Sequence, residues 1–192
     1  METLQAIENR RSIRKFKPDP VPDALLKKIL HAGILAPSGK NKQPWKFYVV
    51  RDKKRGEMTR EMQKGITRLE AMGVNTGSAR QSLEIMSHAP VTVIVFNPSS
   101  KHPLLERDTL ETYSDIVDIQ SVGAAIQNML LAAVDLGLGS LWICDVFFGY
   151  EELCAWLGEK GQLIAALSLG YSDQDPRPRP RKPVEDVTVF LS

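Results

Sequence analysis

Arg10-Arg11-Ser12-Ile13-Arg14-Lys15-Phe16 places four cations within six residues, around one small hydroxyl. A guanidinium is a planar fork of donors matched to phosphate oxygens, and serine adds a short hydroxyl donor. Taken alone, such a run reads first as a solvated basic turn after a short helix, because charge runs are usually exposed. Two other stretches change that reading. Pro37-Ser38-Gly39-Lys40-Asn41-Lys42-Gln43-Pro44-Trp45 crowds Ser38, Asn41 and Gln43 into a proline-bounded loop ahead of an aromatic residue. An ordinary helix-to-strand connection accounts for its glycine and prolines. It accounts less well for three hydrogen-bonding side chains of the kind that suit a planar ligand. Arg177-Pro178-Arg179-Pro180-Arg181-Lys182-Pro183 then sets a second cationic cluster near the other end of the chain. A small anion bridging the two ends is the economical explanation.

The totals bound what that anion-binding chain can be. Its 192 residues allow one sizeable domain or two small ones, and 43% hydrophobic content supports a packed core rather than disorder. A net charge of +2 is too small to imply nucleic acid by itself. Cys144 and Cys154 are the only cysteines. With no charged-then-apolar signal in Met-Glu-Thr-Leu-Gln, they make no disulfide framework, so a reducing cytoplasm is the default location. No apolar run is expected to approach the roughly 18 residues that span a bilayer, so no membrane association is expected. The chain has no Walker sequence and no Gly-x-Gly-x-x-Gly, and Gly137-Leu138-Gly139 is too short for a dinucleotide fingerprint. His31, His88 and His102 are scattered, so no metal site is expected, and Ser38 has no neighbouring histidine and acid for a hydrolase triad. A chain with no obvious catalytic side chain is what a cofactor enzyme looks like, because the cofactor carries the chemistry.

In order, Thr3 is expected to cap a short helix to Asn9 with Leu4 and Ile7 facing inward, and Asp23 to cap a helix carrying Leu26, Ile29, Leu30 and Ile34 that Pro37 stops. Trp45–Val50 alternates as a strand, and residues 53–88 are helical with a break near Gly73–Gly77. Val91–Phe96 is a continuous apolar run, expected to be a central strand. Tyr113–Leu136 is the longest helix signal, apolar almost all round over its second half. It is either a core helix of one chain or an interface helix between two, and Gly137 is its C-cap. Ser140–Ile143 and Leu163–Leu169 read as strands, Tyr150–Leu157 as a helix, residues 172–183 as an extended polar arm, and Asp186–Leu191 as a final strand. Without a regular βα alternation, the pattern is an α+β sheet flanked by helices.

The Arg-Arg-Ser-x-Arg start, the Pro-Ser-x-x-Asn-x-Gln-Pro-Trp loop, Ala89-Pro90 before an apolar strand, the long helix ending Leu-Gly-Leu-Gly and the late Arg-x-Arg follow one another in an order that resembles the nitroreductase family of FMN flavoproteins. The resemblance covers nearly the whole chain. It implies one domain over residues 1–192, a mostly antiparallel sheet, and a homodimer through the long helix with FMN at the subunit interface. It implies that hydride passes from NADH or NADPH to flavin N5 and on to a small organic acceptor such as a nitroaromatic, quinone or enone. By the same resemblance, Arg10, Ser12, Arg179 and Arg181 hold the FMN phosphate, and Arg11 lies along the ribityl chain. Arg14 sits near flavin N1 and O2, where a cation stabilises reduced flavin. Pro37, Ser38, Gly39 and Asn41 come from the other subunit, and Trp142, Ile143, Cys144 and Asp145 pass the far side of the ring. Arg80, Gln81 and Ser82 are candidates for a contact to the pyrimidine. Where family members carry Glu-Gly or Gly-Gly, this chain has Cys144-Asp145. The Asp145 carboxylate either faces the flavin, opposing the charge that builds on reduction, or points away, where it caps the helix beginning near Gly149–Tyr150 or meets solvent. Two other function classes fit the residues: a non-catalytic flavin-binding or sensing protein on the same scaffold, and a basic surface for RNA or a phosphoprotein.

Overall fold

Val91-Thr92-Val93-Ile94-Val95-Phe96-Asn97 has no polar alternation, and a strand of that kind needs cover on both faces. In the computed structural model, which describes residues 1–191, it is the strand β2 (Val91–Asn97), buried along its whole length. With β1 (Lys46–Arg51), β3 (Gly139–Ile143) and β4 (Gln162–Gly170) it forms a four-stranded sheet in the order β1-β2-β4-β3, every neighbouring pair antiparallel. The last strand in sequence therefore fills the gap between β2 and β3.

Successive side chains of a strand point to opposite faces, and β2 divides its residues accordingly. Ile94 and Phe96 enter one core with Met58, Met62 and Ile66 of α3 (Lys53–Ala71), Ile85 and Met86 of α4 (Ala79–His88) and Leu153 of α6 (Tyr150–Leu157). Val91, Val93 and Val95 enter a second core with Leu26 and Ile29 of α2 (Asp23–Ile34) and Val122, Ile126 and Met129 of α5 (Thr109–Asp135). Phe96 pairs with Leu163 but Val95 with Ala165, so β4 carries an extra residue there. That bulge puts Leu163 and Ala166 in the same core although they are three apart in sequence.

The elements follow the sequence reading closely, including α1 (Thr3–Asn9) and the glycine at the end of α5, where Gly137 has φ +76°. The differences have physical causes. Leu4 and Ile7 are exposed and Ala6 is the buried residue of α1; Glu2, not Thr3, is its N-cap. Asp23 lies inside the first turn of α2, where a carboxylate suits the helix dipole, and it pairs with Arg51 of β1. Helix α5 begins before Tyr113 because Asp108 and Glu111 close a capping box: the Glu111 N–H donates to Asp108 Oδ1 (2.8 Å) and the Asp108 N–H to Glu111 Oε2 (3.1 Å). The α5 sequence is also long and apolar enough to cross a membrane by length and composition alone, contrary to the sequence reading. The fold packs it on α2 and the sheet instead. Asp186–Leu191 does not form a strand. Val184–Asp186 is a 3-10 turn, and Val187, Val189, Phe190 and Leu191 stay exposed, because a strand forms only where a sheet edge pairs its backbone.

The choice between core and interface splits along α5. From Val122 to Ala133 the helix is core, with Ile126 fully buried inside one chain. Leu110, Tyr113, Ile116, Val117 and Ile119 of its N-terminal half are exposed.

Candidate functional site

The two basic clusters meet because the backbone brings them to one sheet corner. The Ile13 N–H donates to Ser140 O (2.9 Å), with Ser12 bridging Ser140 in parallel, so the N-terminal stretch lies along edge strand β3. Three residues on, Phe16 bridges Ser172, the Lys17 N–H donates to Tyr171 O (2.9 Å) and the Asp173 N–H to Lys15 O (3.0 Å). Ile13 and Phe16 are the buried residues of the stretch and serve as its anchors. The close approach to β3 needs a glycine, since a Cβ at Gly139 would lie 2.9 Å from Ile13 Cγ1. The chain leaves β4 beside Lys15 and Lys17, so the arginine arm must emerge next to Arg10–Arg14.

There the chain encloses a cavity of about 630 Å³ lined by Arg10, Arg11, Ser12 and Arg14 from one end and Arg177, Arg179 and Arg181 from the other. Among the described residues none of these guanidiniums makes an ion pair with a carboxylate. They brace on backbone oxygens: Arg11 donates to Glu8 O and Arg10 O, Arg14 to Ser12 O, and Arg181 to Arg179 O and Pro180 O. Prolines 176, 178, 180 and 183 keep the arm extended, and so favour separate side chains reaching one space. Six guanidiniums converge here against a single lining carboxylate, Glu8, so the cavity keeps an excess of positive charge, and an anion relieves that repulsion.

The other residues named from sequence lie outside this cavity within one chain. Trp142 is partly exposed beside Gly123 of α5, Ile143 is core and Cys144 is exposed at the end of β3. Partial burial, and then the neighbouring Asp145 carboxylate, push the Cys144 thiol up, so it stays protonated at neutral pH. Asp145 does not cap the helix at Tyr150, whose N-cap is Gly149. Its Oδ2 accepts from Ser78 Oγ (2.7 Å) and Ser82 Oγ (2.6 Å) at the start of α4. Of the three residues considered for a pyrimidine contact, Arg80 is committed to Glu70 and Ser82 to Asp145, while Gln81 is exposed. Pro37, Ser38, Gly39 and Asn41 lie on a turn against α5. The Ser38 hydroxyl accepts from the Gln43 N–H (3.0 Å), and Asn41 Oδ1 accepts from Gln43 Nε2 (3.4 Å), so these side chains first build their own loop.

Sequence reasoning missed Gln127, which lines the cavity from α5, and left Arg177 out of the site. A signal for the first exists: Gln127-Asn128 is a polar pair in an otherwise apolar half-helix, and Asn128 Nδ2 donates to Ala32 O (3.1 Å), which orients this turn of α5 against α2.

Comparison with known proteins gives a match to the Nitroreductase family over residues 7–171, which ends before the arginine arm. A provisionally named NADH dehydrogenase/NAD(P)H nitroreductase of Methanothermobacter thermautotrophicus is 37% identical over 184 residues, covering 93% of this chain and 82% of its own. A provisionally named nitroreductase of Desulfovibrio desulfuricans, solved in complex with FMN, superposes with a TM-score of 0.76 at 31% identity over 100% of this chain and 98% of its own. A flavoprotein of Clostridium difficile 630 described as BluB-like gives 0.78 at 29% identity over the full length of both. With the match spanning most of its length and the sheet and helices in agreement, the chain belongs to the nitroreductase family.

Proposed function

We propose that this protein is an FMN-dependent oxidoreductase that takes reducing equivalents from NADH or NADPH and passes them to a small organic acceptor such as a nitroaromatic, quinone or enone. The observation that carries this reading is the convergence of six arginines on one cavity, where Glu8 is the one carboxylate of the lining and, among the described residues, none of the six is ion-paired. That donor set suits a phosphate, and the Desulfovibrio relative holds FMN. Arg10, Ser12, Arg179 and Arg181 would hold the phosphate, Arg11 the ribityl side, and Arg14 would set a positive charge toward the ring. Trp142, Ile143, Cys144 and Asp145 would supply the wall beyond it. When bound, the flavin supplies two-electron transfer that no side chain here supplies.

The whole described chain would form one such domain, acting as a homodimer. Pro37, Ser38, Gly39 and Asn41 would complete the site of the other subunit. The exposed apolar half of α5, with Tyr113, Ile116, Val117 and Ile119, and the exposed tail with Val187, Val189 and Phe190, support the dimer. Two free thiols fit a reducing cytoplasm. Ile119→Lys should weaken self-association tenfold or more in sedimentation. An unchanged dimer would place the interface elsewhere.

An absorbance spectrum of the purified protein tests the whole reading. Bands of oxidised flavin that bleach on adding NADH or NADPH are expected. Bound flavin that neither nucleotide reduces would leave a flavin-binding protein without this activity, and no flavin even after reconstitution would overturn the proposal. Asp145→Asn separates two roles for that carboxylate. It spends Oδ2 on two hydroxyls at the start of α4, so the variant should lose about 1 kcal/mol of stability in chemical denaturation. The flavin potential should move by no more than about 20 mV. A larger rise in potential with unchanged stability would mean the carboxylate acts on the flavin.

A further inference from the structure

Helix α5 carries one buried charge. Asp118 is 2% exposed, in a stretch flanked by Ile116, Val117 and Ile119. Its counter-ion comes from the Pro37–Pro44 loop: Lys42 Nζ lies 3.1 Å from Asp118 Oδ1, 2.9 Å from Oδ2 and 3.1 Å from Ser114 Oγ. An ammonium has three protons to donate, and here all three have acceptors. One turn further along the same face, Ser121 Oγ accepts from the Gly39 N–H (3.2 Å) and donates to Val117 O (2.7 Å). Ser114, Asp118 and Ser121 are spaced four and three apart, so they form one polar stripe down a helix face. The loop lies flat on that stripe, and Gly39 permits it, since a Cβ there would run into Val117 Cγ1.

The backbone held down in this way is not one the chain adopts cheaply. Lys40, Asn41 and Gln43 have φ of +51°, +55° and +51°, in the left-handed region that non-glycine residues seldom occupy. Such a conformation persists only where surrounding contacts over-determine it. Within the loop there are short-range bonds, among them Ser38 Oγ to the Gln43 N–H. Among the described residues, the bonds that fix it to the rest of the protein through charged or hydroxyl side chains are those to Asp118, Ser114 and Ser121.

We propose that Asp118 and Lys42 are positioning residues, a latch that sets the left-handed course of residues 38–43 and so presents Ser38, Gly39 and Asn41 to the cofactor site of the partner subunit. Neither residue touches the cofactor. This inference rests on the FMN reading above for its functional part, and on the geometry alone for its structural part. One buried carboxylate on the interface helix thereby governs a flavin contact made in trans.

Hydrogen exchange of the loop and FMN titration of the apoprotein, with visible circular dichroism of the bound flavin, test it on Asp118→Asn, Lys42→Met and the double variant. Each single variant should speed exchange of the amides of residues 39–43 about tenfold or more, weaken FMN about tenfold, and alter the flavin dichroism. The double variant should be no weaker than the worse single one, because the pair acts as a unit. Unchanged loop exchange in both single variants overturns the latch. Faster exchange with unchanged FMN affinity and dichroism overturns its positioning role. Arg181→Ala, measured alongside, tells the two readings apart: if it weakens FMN while the latch variants do not, the cofactor reading stands and the latch falls. A wild-type protein that takes up no FMN overturns the cofactor reading and the positioning role together, with loop exchange still deciding the latch itself.

Discussion

Arg10→Ala and Arg181→Ala should each weaken FMN binding roughly ten- to a hundredfold, with the sheet unaffected. A hydrogen bond to a charged group contributes about 1.5–3 kcal/mol, and each 1.4 kcal/mol is about a factor of ten in affinity. Both side chains line the same cavity from opposite ends of the chain, and neither spends its charge on a carboxylate of its own. Arg181 is held by Arg179 O and Pro180 O, so its reach is set by the arm's own backbone rather than by the fold beneath. Removing it therefore deletes a binding group without opening a hole in the core. The affinity should also fall as salt is raised, since exposed guanidiniums are screened at short Debye lengths. Fluorescence titration of the apoprotein measures both effects. Equal affinities for wild type and both variants would put the phosphate somewhere other than this cavity.

Ile126→Lys should cost on the order of 3–5 kcal/mol and leave the chain largely unfolded at room temperature if its native stability is at the low end of the usual range of about 5–15 kcal/mol. Ile126 is fully buried within a single chain, in the core that holds Val93, Val122, Met129 and Leu167. A lysine there would bring a charge into an apolar site, with no carboxylate among the core residues to pair with it. The length of a lysine stem does not rescue it, because α5 is packed on α2 and the sheet on that side. Chemical denaturation followed by far-ultraviolet circular dichroism reads the loss. The contrast with Ile119, exposed on the same helix two turns earlier, is the useful part: one substitution should unfold the chain, the other should only separate copies of it. Similar stability for Ile126→Lys and wild type would mean that the helix sits differently from the way described.

Why some of this was legible in the amino acids and some was not follows from the range of the interactions. Val91–Phe96 announces a central strand because burial on both faces leaves no polar position to alternate. Leu26, Ile29, Leu30 and Ile34 show their helix through local periodicity. The basic residues at 10–14 and 177–181 are visible as composition, and charge alone makes their convergence an economical expectation. What brings them together is the pairing of Ser12 with Ser140 and Phe16 with Ser172, a matter of strand order that no local pattern carries. Asp118 is not legible in the sequence, because a single acid in an apolar helix has no evident role until the lysine that answers it is known. Leu4, Ile7 and Asp186–Leu191 failed for the opposite reason. Their patterns are sound, but an apolar residue or an alternating run reports a preference for burial without saying which chain provides the cover.

The sheet order has a consequence for how the protein is made. Because β4 lies between β2 and β3, neither of those strands has its inner partner until residues 162–170 exist, and until then β3 has only the short N-terminal stretch beside it. A growing chain can form the β1–β2 pair and the helices between them early, but the long-range closure waits until residues 162–170 have been made. The arginine arm leaves the ribosome later still, directly after β4. If the arm binds the phosphate as proposed, cofactor capture follows closure of the core: a chain cut short near residue 172 would keep every strand of its sheet while losing Arg179 and Arg181, the arm's two proposed phosphate ligands.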